Sequence, residues 1–172
     1  DIIELGIPFS DPLADGPVIQ ESFQKAIENG VDLDDCFKVG KELSESVPVI
    51  FMISYNLMLQ YGLEKFAEMC EEQHISGLII PDLPPEDAKN EYELFSEKGI
   101  DLIFLVAPNT PANRREMILK YSSGYLYCIA RLGITGMQDN VEKSLGEYLD
   151  TIRQETDLPL CVGFGISTPK HA

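Results

Sequence analysis

The sequence is poor in basic residues. Lysine and arginine number 13 against 29 aspartates and glutamates, for a formal net charge of −16. So acidic a surface repels the phosphates of nucleic acids and of anionic membranes, and neither is an expected partner. Histidine occurs twice, at His74 and His171, too few for a histidine-based triad or a His-rich metal site, and no metal is expected. His74 follows a helical stretch and reads as a solvated residue at its C-terminal end. The four cysteines, Cys36, Cys70, Cys128 and Cys161, lie far apart and form no CxxC. Cys128 and Cys161 sit in apolar runs, which predicts buried, reduced thiols in a cytosolic setting and no disulfide frame or zinc site. No run approaches the ~20 apolar residues of a membrane helix, and no signal peptide is read. A G-x-G-x-x-G turn is also missing, which weakens a dinucleotide-binding fold. The chain opens without methionine, within a strand-like run, and stops at Ala172 where a helix is due after Ser167-Thr168-Pro169. Both ends are expected to be cut.

What is present is a repeating pattern. Six strand-like runs recur, at Asp1–Leu5, Pro48–Ser54, Gly77–Leu83, Asp101–Ala107, Tyr125–Ala130 and Leu160–Gly163. Most are continuous aliphatic runs, the mark of strands buried on both faces of a parallel sheet. Helical periodicity fills the gaps: Ile19–Asn29, Leu33–Glu45, Leu63–Gln73, Glu86–Lys98, Asn113–Tyr121 and Val141–Glu155, with Gly30 and Gly99 as stops. This is βα repeated, which gives a parallel sheet with right-handed crossovers in a single domain over 1–172. An open doubly wound sheet and a (βα)8 barrel both fit it. Three loops after strands are rich in glycine, proline and acids: Gly6–Pro17, Pro81–Pro85 and Gly133–Asn140. Chemistry collects at strand C-terminal ends in either fold.

The first of these loops organises the chain. Residues 1–17 read DIIELGIPFSDPLADGP. Glu4 stands in an apolar strand, sharing one face with Ile2 while Ile3 and Leu5 share the other. Burial among aliphatics predicts a raised pKa and a group poised to hold and release a proton; the plain alternative is a paired structural carboxylate. Asp11 and Asp15 follow on a loop that Pro8, Pro12, Gly16 and Pro17 keep from becoming helix. Taken alone, Asp15 reads equally as a solvated loop acid or a helix cap.

Fourteen consecutive residues, Ile3 to Gly16 (IELGIPFSDPLADG), resemble the signature of the tryptophan synthase α-subunit family, and the resemblance runs on through Ser167. It implies a TIM (βα)8 barrel, of which this chain holds strands two to seven and lacks the first and last βα units. It implies retro-aldol cleavage of indole-3-glycerol phosphate to indole and glyceraldehyde 3-phosphate, with Glu4 and Asp15 as the catalytic pair. No cofactor is implied in this subunit, and pyridoxal phosphate is expected in the β partner of an α2β2 assembly. Pro8 and Asp11 then lie on the loop that touches β. For Asp11, a turn-forming acid in Ser-Asp-Pro is an equal reading.

Later stretches carry the rest. Tyr125–Gly136 reads YLYCIARLGITG, in which Tyr125, Tyr127 and Ile129 share a strand face. Aromatic core packing explains them unaided; the resemblance makes Tyr127 a substrate contact within reach of Glu4. It makes the stretch after Arg131 a lid, in which Thr135 hydrogen-bonds Asp15. Cys161–Ser167 reads CVGFGIS, and a strand ending in Gly-x-Gly before a helix start offers bare N–H groups to a phosphate. The resemblance assigns Gly136, Phe164 and Gly165 to that cradle. Asp82, in the stiff turn IIPDLPPE, reads as structural, and Asn109-Thr110-Pro111 as the start of a helix. Family members often carry tyrosine where this chain has Ser54. Two other functions stay open: a catalytically weak allosteric module for β, and another phosphate-binding barrel lyase.

Overall fold

The computed structural model describes residues 1–12, 15–130 and 138–163, in the last segment with side chains from residue 145 onward. The chain divides into two compact units, Asp1–Leu102 and Ile103–Ala172.

The first unit carries a sheet of β1 (Ile3–Gly6), β2 (Val49–Met52), β3 (Gly77–Ile79) and β4 (Asp101–Ile103), in that spatial order. β1 pairs with β2 and β2 with β3, both parallel, in a register that sets Glu4 beside Ile50 and Phe51 beside Leu78. The aliphatic runs behave as their composition predicts: Val49, Ile50, Phe51 and all of β3 are buried. Five helices follow the strands: α1 (Pro17–Glu28), α2 (Leu33–Ser44), α3 (Tyr55–Tyr61), α4 (Leu63–Glu72) and α5 (Lys89–Glu97).

The core of this unit is an aromatic chain on one face of the sheet. Phe37 of α2 stands 5.4 Å, centroid to centroid, from Phe51 of β2 and from Phe66 of α4, and Phe66 meets Phe95 of α5 edge-on at 6.5 Å. Each buried phenyl is worth about 1.5–3 kcal/mol in transfer alone, and tilted and edge-on pairs suit the ring quadrupoles. α2 reaches β2 closely because Gly40 has no side chain; a Cβ there would stand 2.7 Å from Ile75 and 2.9 Å from Phe51. Phe51 therefore marks the helix-covered face, and Ile50 and Met52 look the other way.

α1 departs from its expected packing. None of its residues is buried, and Ile27 is 38% exposed. Further along, the run read as strand through Ser54 ends at Met52, and α3 begins at Tyr55. α5 starts at Lys89, three residues after the expected Glu86, because a turn over Pro84-Pro85 takes the N–H groups of Asp87 and Ala88. Both stops hold: Gly30 (φ 78°) and Gly99 (φ 70°) adopt the left-handed conformation that ends helices. His74 does the same after α4 (φ 58°), with its side chain exposed.

The second unit repeats the arrangement. β5 (Leu105–Val106), β6 (Leu126–Ile129) and β7 (Leu160–Gly163) form a parallel sheet in that order, with α6 (Ala112–Tyr121) and α7 (Gln138–Arg153) between them in sequence. The expected strand Asp101–Ala107 is broken at Phe104, whose carbonyl accepts the N–H of Tyr127 at 3.0 Å. Thr110 closes the turn before α6, its hydroxyl accepting the N–H of Ala107. Arg115 of α6 bonds Glu155 beyond α7 at 2.7 Å and the Thr110 carbonyl at 2.8 Å. The Tyr148 hydroxyl of α7 donates to the Val106 carbonyl at 2.8 Å, and burial pushes its pKa up.

Candidate active site

The site grows from the end of β1. Ile7 extends the ladder one residue past the strand, its N–H donating to the Met52 carbonyl at 2.9 Å, and its side chain is buried. The chain then leaves the sheet. The Ser10 hydroxyl donates to Asp11 at 2.7 Å, as a Ser-Asp-Pro turn predicts. The side-chain amide of Gln20 in α1 donates to the Asp15 carbonyl at 2.9 Å, tying the loop to the helix it opens into.

These ties leave an open cleft at the C-terminal ends of β1, β2 and β3. Ile7, Phe23 and Met52 give it apolar walls, and Asp15, Ser54 and Asp82 give it polar groups. Asp11 also lines it, while Pro8 does not. Asp15 is half-buried, and loss of solvent raises its pKa above the ordinary 3.8. Asp15 faces the cleft, and the residue at the N-cap of α1 is Gly16.

Glu4 differs from its expectation. It is expected buried among aliphatics; in this chain it is exposed, and it is not among the residues that line the cleft. Glu4 shares a face with Gly6, whose register partner is Met52 of the cleft wall.

Asp82 is structural, as its turn suggested. One carboxylate oxygen accepts the Ser54 hydroxyl at 2.8 Å and the other accepts the backbone N–H of Tyr55, also at 2.8 Å. It thus caps α3 from a different loop. The hydroxyl of Tyr55 donates to Glu91 in α5, which draws on that proton and pushes the Tyr55 pKa up to about 12. Sequence reading missed this pair. A signal existed: Glu91 occupies a helical position between the buried Ala88 and Phe95, where an apolar residue is due.

In the second unit Tyr127 is buried, 8% exposed. A Cβ on Gly163 would lie 1.9 Å from its hydroxyl oxygen, so the first glycine of the G-F-G run makes room for this phenol. Thr135, Gly136, Phe164 and Gly165, with Arg131 and Gly133, lie outside the described residues. Cys36, Cys70 and Cys128 are buried and Cys161 half-buried, and burial pushes the Cys36 and Cys128 thiols up to about 11. Among the described residues no three metal-ligating side chains gather, and no helix is long and apolar enough to cross a membrane.

Comparison with known proteins bears on all of this. A family model described as tryptophan synthase alpha chain matches residues 1–172. The tryptophan synthase alpha chain of Petrotoga mobilis is 47% identical over 174 residues, covering all of this chain and 67% of the relative. That of Methanosarcina mazei is 49% identical over 172 residues, covering all of this chain and 63% of the relative. The chain thus spans about two thirds of the length of the curated relatives it matches. Among solved structures, the alpha subunit from Campylobacter jejuni superposes with a TM-score of 0.90 at 36% identity, covering 99% of this chain and 69% of that one. The tryptophan synthase a2b2 complex of Pyrococcus furiosus gives 0.88 at 36% identity, covering 98% and 68%. These neighbours are TIM barrels, and the parallel βα order seen here superposes on theirs over nearly all of this chain: the chain belongs to the tryptophan synthase alpha chain family.

Proposed function

We propose that the chain carries out the α-subunit reaction, cleavage of indole-3-glycerol phosphate to indole and glyceraldehyde 3-phosphate. The observation that carries this reading is Asp15 in the cleft at the C-terminal end of β1, the strand that carries Glu4; Glu4 itself is not among the residues that line the cleft. Chemically, C3 of the indole ring must gain a proton while the adjacent glycerol hydroxyl loses one, and the carbon–carbon bond between them breaks. Glu4 shuttles that proton. Asp15 accepts the indole N–H and stabilises the positive charge that the ring acquires. Its desolvation strengthens this term, since a carboxylate poorly served by water gains more from a nearby cation. Ile7, Phe23 and Met52 suit a flat aromatic ring.

The remaining roles follow the family. Tyr127 contacts substrate, Thr135 holds Asp15, and Gly136, Phe164 and Gly165 offer backbone N–H groups to the phosphate. Pro8 and Asp11 belong to the contact with a β subunit, which takes up the indole and carries the pyridoxal phosphate; this chain's own chemistry calls on no cofactor or metal. The buried thiols of Cys36, Cys70 and Cys128 support a cytoplasmic setting, and the continuous βα order supports one partial barrel domain.

The test is indole release from indole-3-glycerol phosphate, with β subunit added, beside Glu4→Gln. Wild type is expected to release indole, and the variant to lose roughly 10²–10⁴-fold, the usual worth of a positioned general acid–base. Equal rates would remove Glu4 from the mechanism. No release by wild type, with β still activated, would make the chain a partner module.

A further inference from the structure

Glu91 is the one carboxylate among the described residues that is buried, at 6% exposure in the first turn of α5. Its Oε1 accepts the Tyr55 hydroxyl, and its Oε2 has no hydrogen-bond partner. A buried oxygen left unsatisfied costs stability, and an apolar side chain of similar volume usually costs less at such a place. What the carboxylate adds that a leucine would not is its grip on Tyr55. That residue is the first of α3, a helix of seven residues, too short to hold its own geometry. Ser54, the residue before it, makes no side-chain cap. The start of α3 is therefore set from outside, at two points. Asp82 takes the Tyr55 N–H and the Ser54 hydroxyl; Glu91 takes the Tyr55 phenol. Ser54 and Asp82 line the same cleft as Asp15, whereas Tyr55 and Glu91 stand outside its lining.

We propose that Glu91 is a positioning residue of the site: through Tyr55 it fixes the start of α3, and with it the wall that Ser54 and Asp82 present to the substrate. The kinetic part of this rests on the reading under Proposed function; the structural part does not. Glu91 never touches substrate, so its effect falls on binding and not on the proton transfer itself.

Three variants test it in the full chain with β subunit: Tyr55→Phe, Glu91→Leu and Glu91→Gln, together with the double Tyr55→Phe/Glu91→Leu. Either of the first two is expected to raise KM for indole-3-glycerol phosphate about tenfold with kcat within about twofold, the size of effect that a small misplacement of a site wall produces. Glu91→Gln keeps an acceptor for the phenol and is expected to restore most of the wild-type KM. The double variant is expected to be no worse than Glu91→Leu alone. The second readout needs no catalysis. Amide exchange at Tyr55 is compared with that at Phe66 in α4, whose N–H bonds the Gly62 carbonyl at 2.8 Å. Selective loss of protection at Tyr55 supports the proposal. Equal loss at both sites, or none at Tyr55, overturns it and leaves Glu91 with a general stabilising role. A selective loss with unchanged KM in an active chain overturns it too. A wild-type chain that releases no indole defeats the functional reading alone, and the exchange ratio still decides whether Glu91 holds α3.

Discussion

Asp15 shows how one side chain couples the site to pH. Burial favours its protonated form, so the folded chain holds that proton above pH 3.8, where the unfolded chain has released it. The folded state then binds more protons within a window that begins near 3.8 and extends upward. Stability from this group is present below the window and declines as pH rises through it. Asn cannot ionise, so Asp15→Asn lacks that decline. Denaturant midpoints of both chains, taken on either side of the window, are expected to show the variant gaining on wild type at the higher pH. A difference that stays constant with pH would mean that the folded cleft does not disfavour the charge. Glu4 gives the complementary lesson. Its face follows from strand alternation, which is local; its neighbour across the sheet, Ile50, comes from a distant stretch of the chain that only the fold brings beside it.

Among the elements, α2 and α3 form a contrast. α2 is capped by its own sequence: the Asp32 side chain accepts the Asp35 N–H at 2.9 Å, and Asp35 returns a bond to the Asp32 N–H at 3.5 Å. This box is spelled out within four residues and is legible in the chain. Asp32→Ala is expected to cost about 0.5–2 kcal/mol by urea unfolding, the usual worth of a cap, with KM unchanged since Asp32 is remote from the cleft lining. A loss of activity without loss of stability would contradict this. α3 has no such local signal. Its cap is Asp82, 27 residues away from Tyr55 in sequence. The run through Ser54 therefore reads as strand, with no sign of α3 after it, until the fold brings Asp82 to Tyr55.

At the scale of the molecule the dominant fact is charge. With a formal net charge of −16, self-repulsion opposes compactness. The ion pairs Lys25–Glu21 and Lys38–Asp35 lie on exposed helix faces and contribute little against it. Raising salt from about 0.01 M to 0.15 M shortens the screening length from about 30 Å to about 8 Å. The thermal midpoint is expected to rise over that range. A fall would mean that local pairs outweigh the net repulsion.

The sequence by itself determined most of the strands and helices other than α3, the parallel βα order, the stops at Gly30 and Gly99, and the loop that carries Asp15. Those features depend on periodicity, glycine conformation and proline, all of which act over a few residues. Only the tertiary structure decided that Asp82 caps α3 and that Glu91 reaches Tyr55. Each of these depends on which segments meet, and the groups concerned lie 27 or more residues apart in the chain.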